Sequence, residues 1–253
     1  MSERLTSIVN FLDNYLKVDK IKDYCPNGLQ VEGRHEVFKI LGGVTASQAL
    51  IDEAVKQGAD AILVHHGFFW KGEREEITGI KRNRLKALLE NDISLIAYHL
   101  PLDVHPDVGN NAQLAQKLNL KVTGPLEPLS NMSVGLVGNL ATPMLAEEFR
   151  IKVSQILSRE CLHIGNADAL INRVAWCTGA AQSMINKAVD AGVDAFLSGE
   201  ISEPTVHIAR ETGVHYFSAG HHATERYGVQ ALGAKLEADF DIQFQFIDID
   251  NPV

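Results

Sequence analysis

The chain has 253 residues, 45% of them hydrophobic and 22% charged, with 20 Gly and 8 Pro, a balance that excludes intrinsic disorder, collagen and coiled coil. Lys and Arg number 23 against 32 Asp and Glu, for a net charge of −9, which works against nonspecific attraction to a phosphate backbone unless the few cations cluster. The length allows one large domain or two smaller ones, either able to bury a core without disulfides or a structural metal.

The start, Met1-Ser2-Glu3-Arg4-Leu5, carries an acid where a signal peptide would be cationic, and no run approaches the roughly 20 apolar residues that span a bilayer. No membrane segment is expected. Cys25, Cys161 and Cys177 are widely spaced with no CxxC pair, which reads as reduced thiols in a cytoplasm.

In chain order, Leu5, Ile8, Leu12, Tyr15 and Leu16 recur at helical spacing and the pattern breaks at the turn-forming Pro26-Asn27-Gly28. A strand is expected over Phe38–Val44, a helix over Ser47–Lys56, a strand over Ala61–Val64, a helix over Lys81–Glu90, a strand over Ile93–Tyr98 and a helix over Asn111–Leu118. Strands alternating with helices of this length imply βαβ units and a largely parallel sheet, hence an α/β fold. Lys121–Ser133, with Gly124-Pro125 and Pro128, reads as a linker, dividing an N-terminal domain of residues 1–125 from a C-terminal domain of residues 126–253.

The second half repeats the first. Leu50–Leu63 set against Met184–Leu197 is identical at seven of fourteen positions, and the strand Val214–Ala219 with the helix Gln230–Leu236 parallels Ile93–His99 with Ala112–Leu118. The expectation is two similar, intertwined α/β domains from an internal duplication, with the site in the cleft between them.

Ten histidines are the unusual entry in the composition. Half follow expected strand ends: His65-His66 after Ile62-Leu63-Val64, His99 after Ile96-Ala97-Tyr98, and His221-His222 after Ser218-Ala219-Gly220. In parallel α/β sheets those ends form the ligand-binding edge. Asp103 lies four residues after His99 and Glu225 four after His221, the second pair sharing one face if the segment opens a helix. Imidazole nitrogen with carboxylate oxygen suits Zn, Mn or Fe. His35, His163, His207 and His215 read instead as partly buried residues satisfied by backbone carbonyls. Consecutive strand residues point to opposite faces, so either the strand ends before the His65-His66 pair, as Gly67 allows, or the pair serves two ions. His65, His66, Asp103, His221 and Glu225 exceed the three protein ligands of an open catalytic zinc, and two ions fit that count better.

Pro26-Asn27-Gly28-Leu29-Gln30-Val31-Glu32-Gly33, Gly43-Val44-Thr45-Ala46-Ser47, Val64-His65-His66-Gly67, His99-Leu100-Pro101-Leu102-Asp103 and Gly220-His221-His222-Ala223-Thr224-Glu225 resemble the NGG-interacting-factor-like family, whose members are often named type 2 homologues of GTP cyclohydrolase I. The resemblance runs almost end to end and is closest to the short bacterial forms. It implies two α/β domains, a dinuclear centre of divalent Fe, Zn or Mn in the cleft, and a ring-shaped homohexamer. It implies that His65 and His66 each bind a metal, that Asp103 and His221 each add a ligand, and that Glu225 contacts both ions. His99 is then a neighbour of the centre that orients Asp103 or moves a proton, and His222 and His105 are weaker candidates.

The implied activity is hydrolysis: a metal-activated water attacks the purine ring of GTP, the ring opens and formate leaves. Lys71 and the Lys81-Arg82-Asn83-Arg84 cluster are the cations nearest in sequence for a phosphate-bearing substrate, although the cluster reads first as a solvated helix end. Phe69 or Trp70 is placed to stack on a base, with packing as the plainer reading. A P-loop is absent. Phosphoester hydrolysis by the same centre, a metal carrier, and a ring-shaped nucleic-acid-binding protein linked to repair are the alternatives, the last disfavoured by the negative charge.

Overall fold

The structure, a computed structural model, describes residues 2–130 and 133–253. A short strand β1 (Glu3–Arg4) leads into α1 (Leu5–Tyr15), whose Leu5, Ile8 and Leu12 are buried as the helical spacing requires. After β2 (Gly28–Val31) and β3 (Glu36–Val37) come β4 (Lys39–Thr45), α2 (Gln48–Lys56), β5 (Ala61–His66), α3 (Gly79–Glu90), β6 (Ser94–Ala97) and α4 (Leu100–Val104). The Ser47 hydroxyl caps α2 by accepting from Leu50 N–H. The chain continues through α5 (Asn110–Leu118), β7 (Leu120–Pro125), β8 (Leu136–Leu145), α6 (Ala146–Leu157), β9 (Leu162–Ile164), β10 (Leu170–Cys177), α7 (Ile185–Asp190), β11 (Ala195–Ser198), α8 (Glu203–Thr212), β12 (His215–Ser218), α9 (His221–Asp239) and β13 (Gln243–Phe246).

These elements form two compact units. One gathers the chain through Val108 with Gly228–Asp250, the other Gly109–Tyr227 with Asn251–Val253. The grouping is not collinear with the chain, unlike a division at 125/126, because β13 pairs in parallel with β4 and the unit boundary falls inside α9.

In the first unit the sheet order is β13-β4-β5-β6-β2, with β4, β5 and β6 parallel and β2 antiparallel at the edge. Alternation along the strands decides which helices cover which face. Ile40, Ala61, Leu63 and Ile96 cluster with Leu5, Ile8 and Leu12 of α1 and Val229, Leu232 and Leu236 of α9. Leu41, Ile62, Val64 and Leu95 cluster with Leu50, Ile51 and Ala54 of α2 and Leu85 and Leu88 of α3.

The second unit has the order β7-β8-β10-β11-β12-β9, in which β10, β11 and β12 are parallel and β9 is antiparallel beside β12. Each unit thus carries a β-α-β-α-β run with an antiparallel strand beside its third member. Val174, Trp176, Leu197 and Phe217 pack with Leu114 of α5 and Phe149 and Val153 of α6, whereas Ala175, Phe196 and Tyr216 pack with Ile185 and Ala188 of α7 and Ala209 of α8.

Three expectations change. Lys121–Pro125 is not linker but strand β7, paired with β8 through a register shift at Val122/Gly124; Gly and Pro mark a bulge and a strand end there. Residues 131 and 132 of the expected linker lie outside the described residues. β5 does not end before the histidine pair but runs through His66. The remaining histidines find side chains rather than backbone carbonyls: His35 is exposed with Glu32 4.0 Å away, His207 is 3.2 Å from Glu203, and His163 Nε2 lies 3.0 Å from His215 Nδ1.

Two measurements test this packing. A Cβ at Gly233 would strike the Phe244 ring, as would one at Gly42. Alanine at an α9 position gains about 1 kcal/mol in helix propensity, but overpacking costs about 1–3 kcal/mol, so Gly233→Ala is expected to lower the unfolding free energy in urea by up to about 2 kcal/mol. The His163–His215 pair is held below the ordinary histidine value of 6.5, His163 by burial and then by the charge of His215, His215 by burial against the pull of Asp194. As pH falls, the unfolded chain takes up these protons first, so the pair's contribution is complete above about pH 6.5 and is lost below it. Between about pH 7 and about pH 5.5 the urea midpoint of the parent should fall relative to that of His215→Asn.

Candidate metal centre

The parallel ladder of the first unit sets its donors. β5 delivers His65 and His66 at its C-terminal end, and β6 ends two residues before His99. Donor atoms of His65, His66 and His99 all lie within 4.8 Å of one another, with ring centroids 4.5 Å apart for His65–His66 and 5.0 Å for His65–His99. Although His65 and His66 are consecutive strand residues, both rings therefore reach this one cluster. α4 then presents Asp103, 5% exposed, with Oδ1 3.5 Å from His65 Nε2.

In the second unit α9 opens at His221, three residues past β12. The i, i+4 spacing puts His221 Nε2 3.1 Å from Glu225 Oε2. Gly179, just beyond β10 at φ +69°, leaves room for this pair: a Cβ there would strike Glu225 Oε1 and stand 3.1 Å from His221 Nε2.

Each imidazole is held at Nδ1. His65 Nδ1 lies 2.9 Å from the Tyr98 carbonyl, His66 Nδ1 3.1 Å from the Thr45 hydroxyl, His99 Nδ1 2.9 Å from Asp23 Oδ1, and His221 Nδ1 2.7 Å from Glu200 Oε1. A carbonyl or carboxylate only accepts, so Nδ1 carries the proton in His65, His99 and His221, and the ring lone pair lies at Nε2. The His65–Asp103 and His221–Glu225 separations are those of two donors sharing one ion, which at bond lengths near 2.1 Å stand about 3.0–3.5 Å apart. Nitrogen and oxygen donors, fixed tautomers and a glycine-cleared carboxylate fit a divalent transition metal.

Electrostatics agree. Burial alone would lower His221, but hydrogen bonds and charge from Glu225 and Glu200 raise it to about 9, so the two carboxylates favour positive charge at this ring. Burial would raise Asp23; hydrogen bonds from His99 and Asn27, the His99 charge and the Leu100 N–H hold its carboxyl well below the usual range. Cys25, whose thiol is within 4.8 Å of Asp23 and His99 donors, is pushed up to about 12 by burial and the neighbouring Asp23 and Asp103 charges, and stays a thiol.

Of the residues expected from sequence, His65, His66 and His99 come together, His65 meets Asp103, and His221 meets Glu225. His105 accepts backbone N–H bonds from Asp107 and Val108, and His222 donates its own N–H to Val253 O; neither joins a donor group among the described residues. Lys81 is not a solvated end: it is 14% exposed, donates to the Arg74 carbonyl at 2.8 Å and sits 5.4 Å over Phe69, while Arg84 sits 5.9 Å over Phe68. Sequence reading missed Asp23, Thr45, Gly179 and Glu200. The strand-end rule applied to β4 and β11 would have reached Thr45 and Glu200; no local signal pointed from Asp23 to His99.

Residues 3–252 match the family model described as Duf34/NIF3 (NGG1p interacting factor 3). The chain is 57% identical over 252 residues to a protein of Pseudomonas aeruginosa named GTP cyclohydrolase 1 type 2 homolog, covering all of both chains. Among solved structures it is similar to protein ybgI, of unknown function, at 51% identity and a TM-score of 0.94, covering 99% of this chain and 100% of that one. It is also similar to TTHA1606 from Thermus thermophilus, at 32% identity and a TM-score of 0.88 with the same coverage.

Asp23→Asn removes the charged acceptor from His99 Nδ1–H and Leu100 N–H at nearly constant volume. Loss of charge-assisted bonds at this buried position should lower the unfolding free energy by about 1.5–3 kcal/mol. Nitrogen NMR of the imidazole should then show His99 distributed between its two neutral tautomers.

Proposed function

The chain belongs to the Duf34/NIF3 (NGG1p interacting factor 3) family, and from that premise we propose that it is a metal-dependent hydrolase that opens the purine ring of GTP with release of formate. Two divalent ions, Fe, Zn or Mn, would be held by His65, His66, Asp103, His221 and Glu225. The observation that carries this reading is the set of imidazoles tethered at Nδ1, which leaves nitrogen and carboxylate donors spaced for shared metal ions. When bound, a divalent pair supplies an acidified water and Lewis-acid stabilisation of developing negative charge.

The chain's own groups do the rest. The Tyr98 carbonyl and Glu200 hold His65 and His221 in the ligating tautomer. His99 takes the catalytic part. Asp23 keeps the proton on Nδ1, so that in each of two hydrolyses, ring opening to a formamide and then cleavage of that formamide to formate, Nε2 accepts a proton from the attacking water and returns it to the departing nitrogen. Two bound divalent ions would outweigh the two carboxylates in charge and would favour an anionic, phosphate-bearing substrate although the whole chain is at −9. No helix of the described residues is long and apolar enough to cross a membrane; a cytoplasmic homohexamer ring completes the proposal, with nucleic acid the disfavoured partner.

Protein purified without oxygen should contain about two ions per chain. Glu225→Ala should hold at most about half of that metal and His222→Ala nearly all of it, measured by elemental analysis. Metal-loaded protein incubated with GTP should yield formate without phosphate. Phosphate alone would move the reading to phosphoester hydrolysis, and equal metal in Glu225→Ala and parent would sink the ligand assignment.

A further inference from the structure

Beside the histidine set of the first unit stands an aromatic rim that the metal chemistry does not use. Tyr24 and Trp70 are 5.7 Å apart between centroids, and each meets His99 edge to face at 5.0 Å, with interplanar angles of 74° and 84°. Trp70 also lies 5.9 Å from His66. Yet Tyr24 is 52% exposed, so a large aromatic residue beside His99 remains open to water.

Both rings are tethered. The Tyr24 hydroxyl lies 3.5 Å from His99 Nε2, and its backbone is fixed by its N–H on Asp23 Oδ1 at 2.7 Å and by the Lys71 N–H on its carbonyl at 2.8 Å. The Trp70 indole N–H donates to the Gly67 carbonyl and its backbone N–H to Glu73 Oε2, each at 3.2 Å. The loop presenting Trp70 is strained: Phe69 has φ +65°, a left-handed conformation that a bulky aromatic residue adopts only at a cost of about 1–3 kcal/mol. An exposed aromatic plane with little rotational freedom left to lose suits a rigid, flat ligand, since stacking then costs little ordering entropy on the protein side.

We propose that Tyr24 and Trp70 form the binding face for the planar nitrogen heterocycle of the substrate, a ring of nucleobase type that stacks on Tyr24 with its edge toward His99. The choice of ring rests on the hydrolytic reading of the histidine set. The face itself rests on the rim geometry. Substrate recognition is then divided: the ring binds by its π-face, independently of any phosphate, and the phosphates contribute only through charge.

Tryptophan emission reads this directly. The chain has two tryptophans, and Trp176 is fully buried, so a solvent-borne ring quenches Trp70. Metal-loaded protein is titrated with guanosine, GTP and inorganic triphosphate, with guanosine affinity measured in parallel by calorimetry. Guanosine and GTP should quench saturably, triphosphate should not, and Trp70→Phe should abolish the signal. Tyr24→Leu should weaken guanosine binding by about tenfold or more, whereas Tyr24→Phe, which keeps the face, should bind like the parent. Absence of saturable quenching by guanosine, or parent-like affinity in Tyr24→Leu, overturns the proposal. Formate release from GTP by the same proteins separates the two readings. Guanosine quenching without formate leaves the aromatic face standing and removes the hydrolase; formate release at unchanged KM in Tyr24→Leu does the reverse.

Discussion

The hydrogen bond from His65 Nδ1 to the Tyr98 carbonyl ties the chemistry of the first unit to its sheet. Tyr98 is itself fixed by its N–H on Val64 O and by its hydroxyl on Asp13, so the end of β5 and the end of β6 hold one another through the same residues that orient the ligand. A buried imidazole without such a partner would lose solvation at two nitrogens. With it, Nδ1 is satisfied and Nε2 is aimed at Asp103. Around this bond His66, His99 and Asp103 take their places.

The partners of the four imidazoles differ in charge. A backbone carbonyl and a hydroxyl hold His65 and His66, whereas carboxylates hold His99 and His221. A charged acceptor makes the stronger hydrogen bond, so the His99 and His221 rings are the more firmly fixed in orientation. The negative groups that make the chain acidic overall are, at Asp23, Asp103, Glu200 and Glu225, spent on holding imidazoles.

The elements that sequence reading located best are those where one periodicity runs unbroken: α1 with its buried Leu5, Ile8 and Leu12, and α2 with Ser47 as its cap. It failed where a signal has two physical meanings. Gly124-Pro125 reads as a chain breaker, and it also ends an antiparallel strand through a bulge. Gly67 invites a strand end before His65, and β5 continues because Thr45 and His66 still pair across the ladder. The Lys81–Arg84 cluster reads as a solvated end because charge alone does not reveal that Phe68 and Phe69 lie beneath two of its cations.

Strand-end histidines with a carboxylate four residues on were legible because the C-terminal edge of a parallel sheet is a topological consequence of βαβ order, and because i, i+4 spacing on a helix is local geometry. That much the chain determines by itself: the α/β class, the donor types and the His221–Glu225 pair. The tertiary structure decided which nitrogen of each ring faces the donors and which groups fix it. Those partners, Asp23 for His99 and Tyr98 for His65, stand 76 and 33 residues away; the contacts come from strand register and loop closure across the first sheet, which no local pattern of residues encodes.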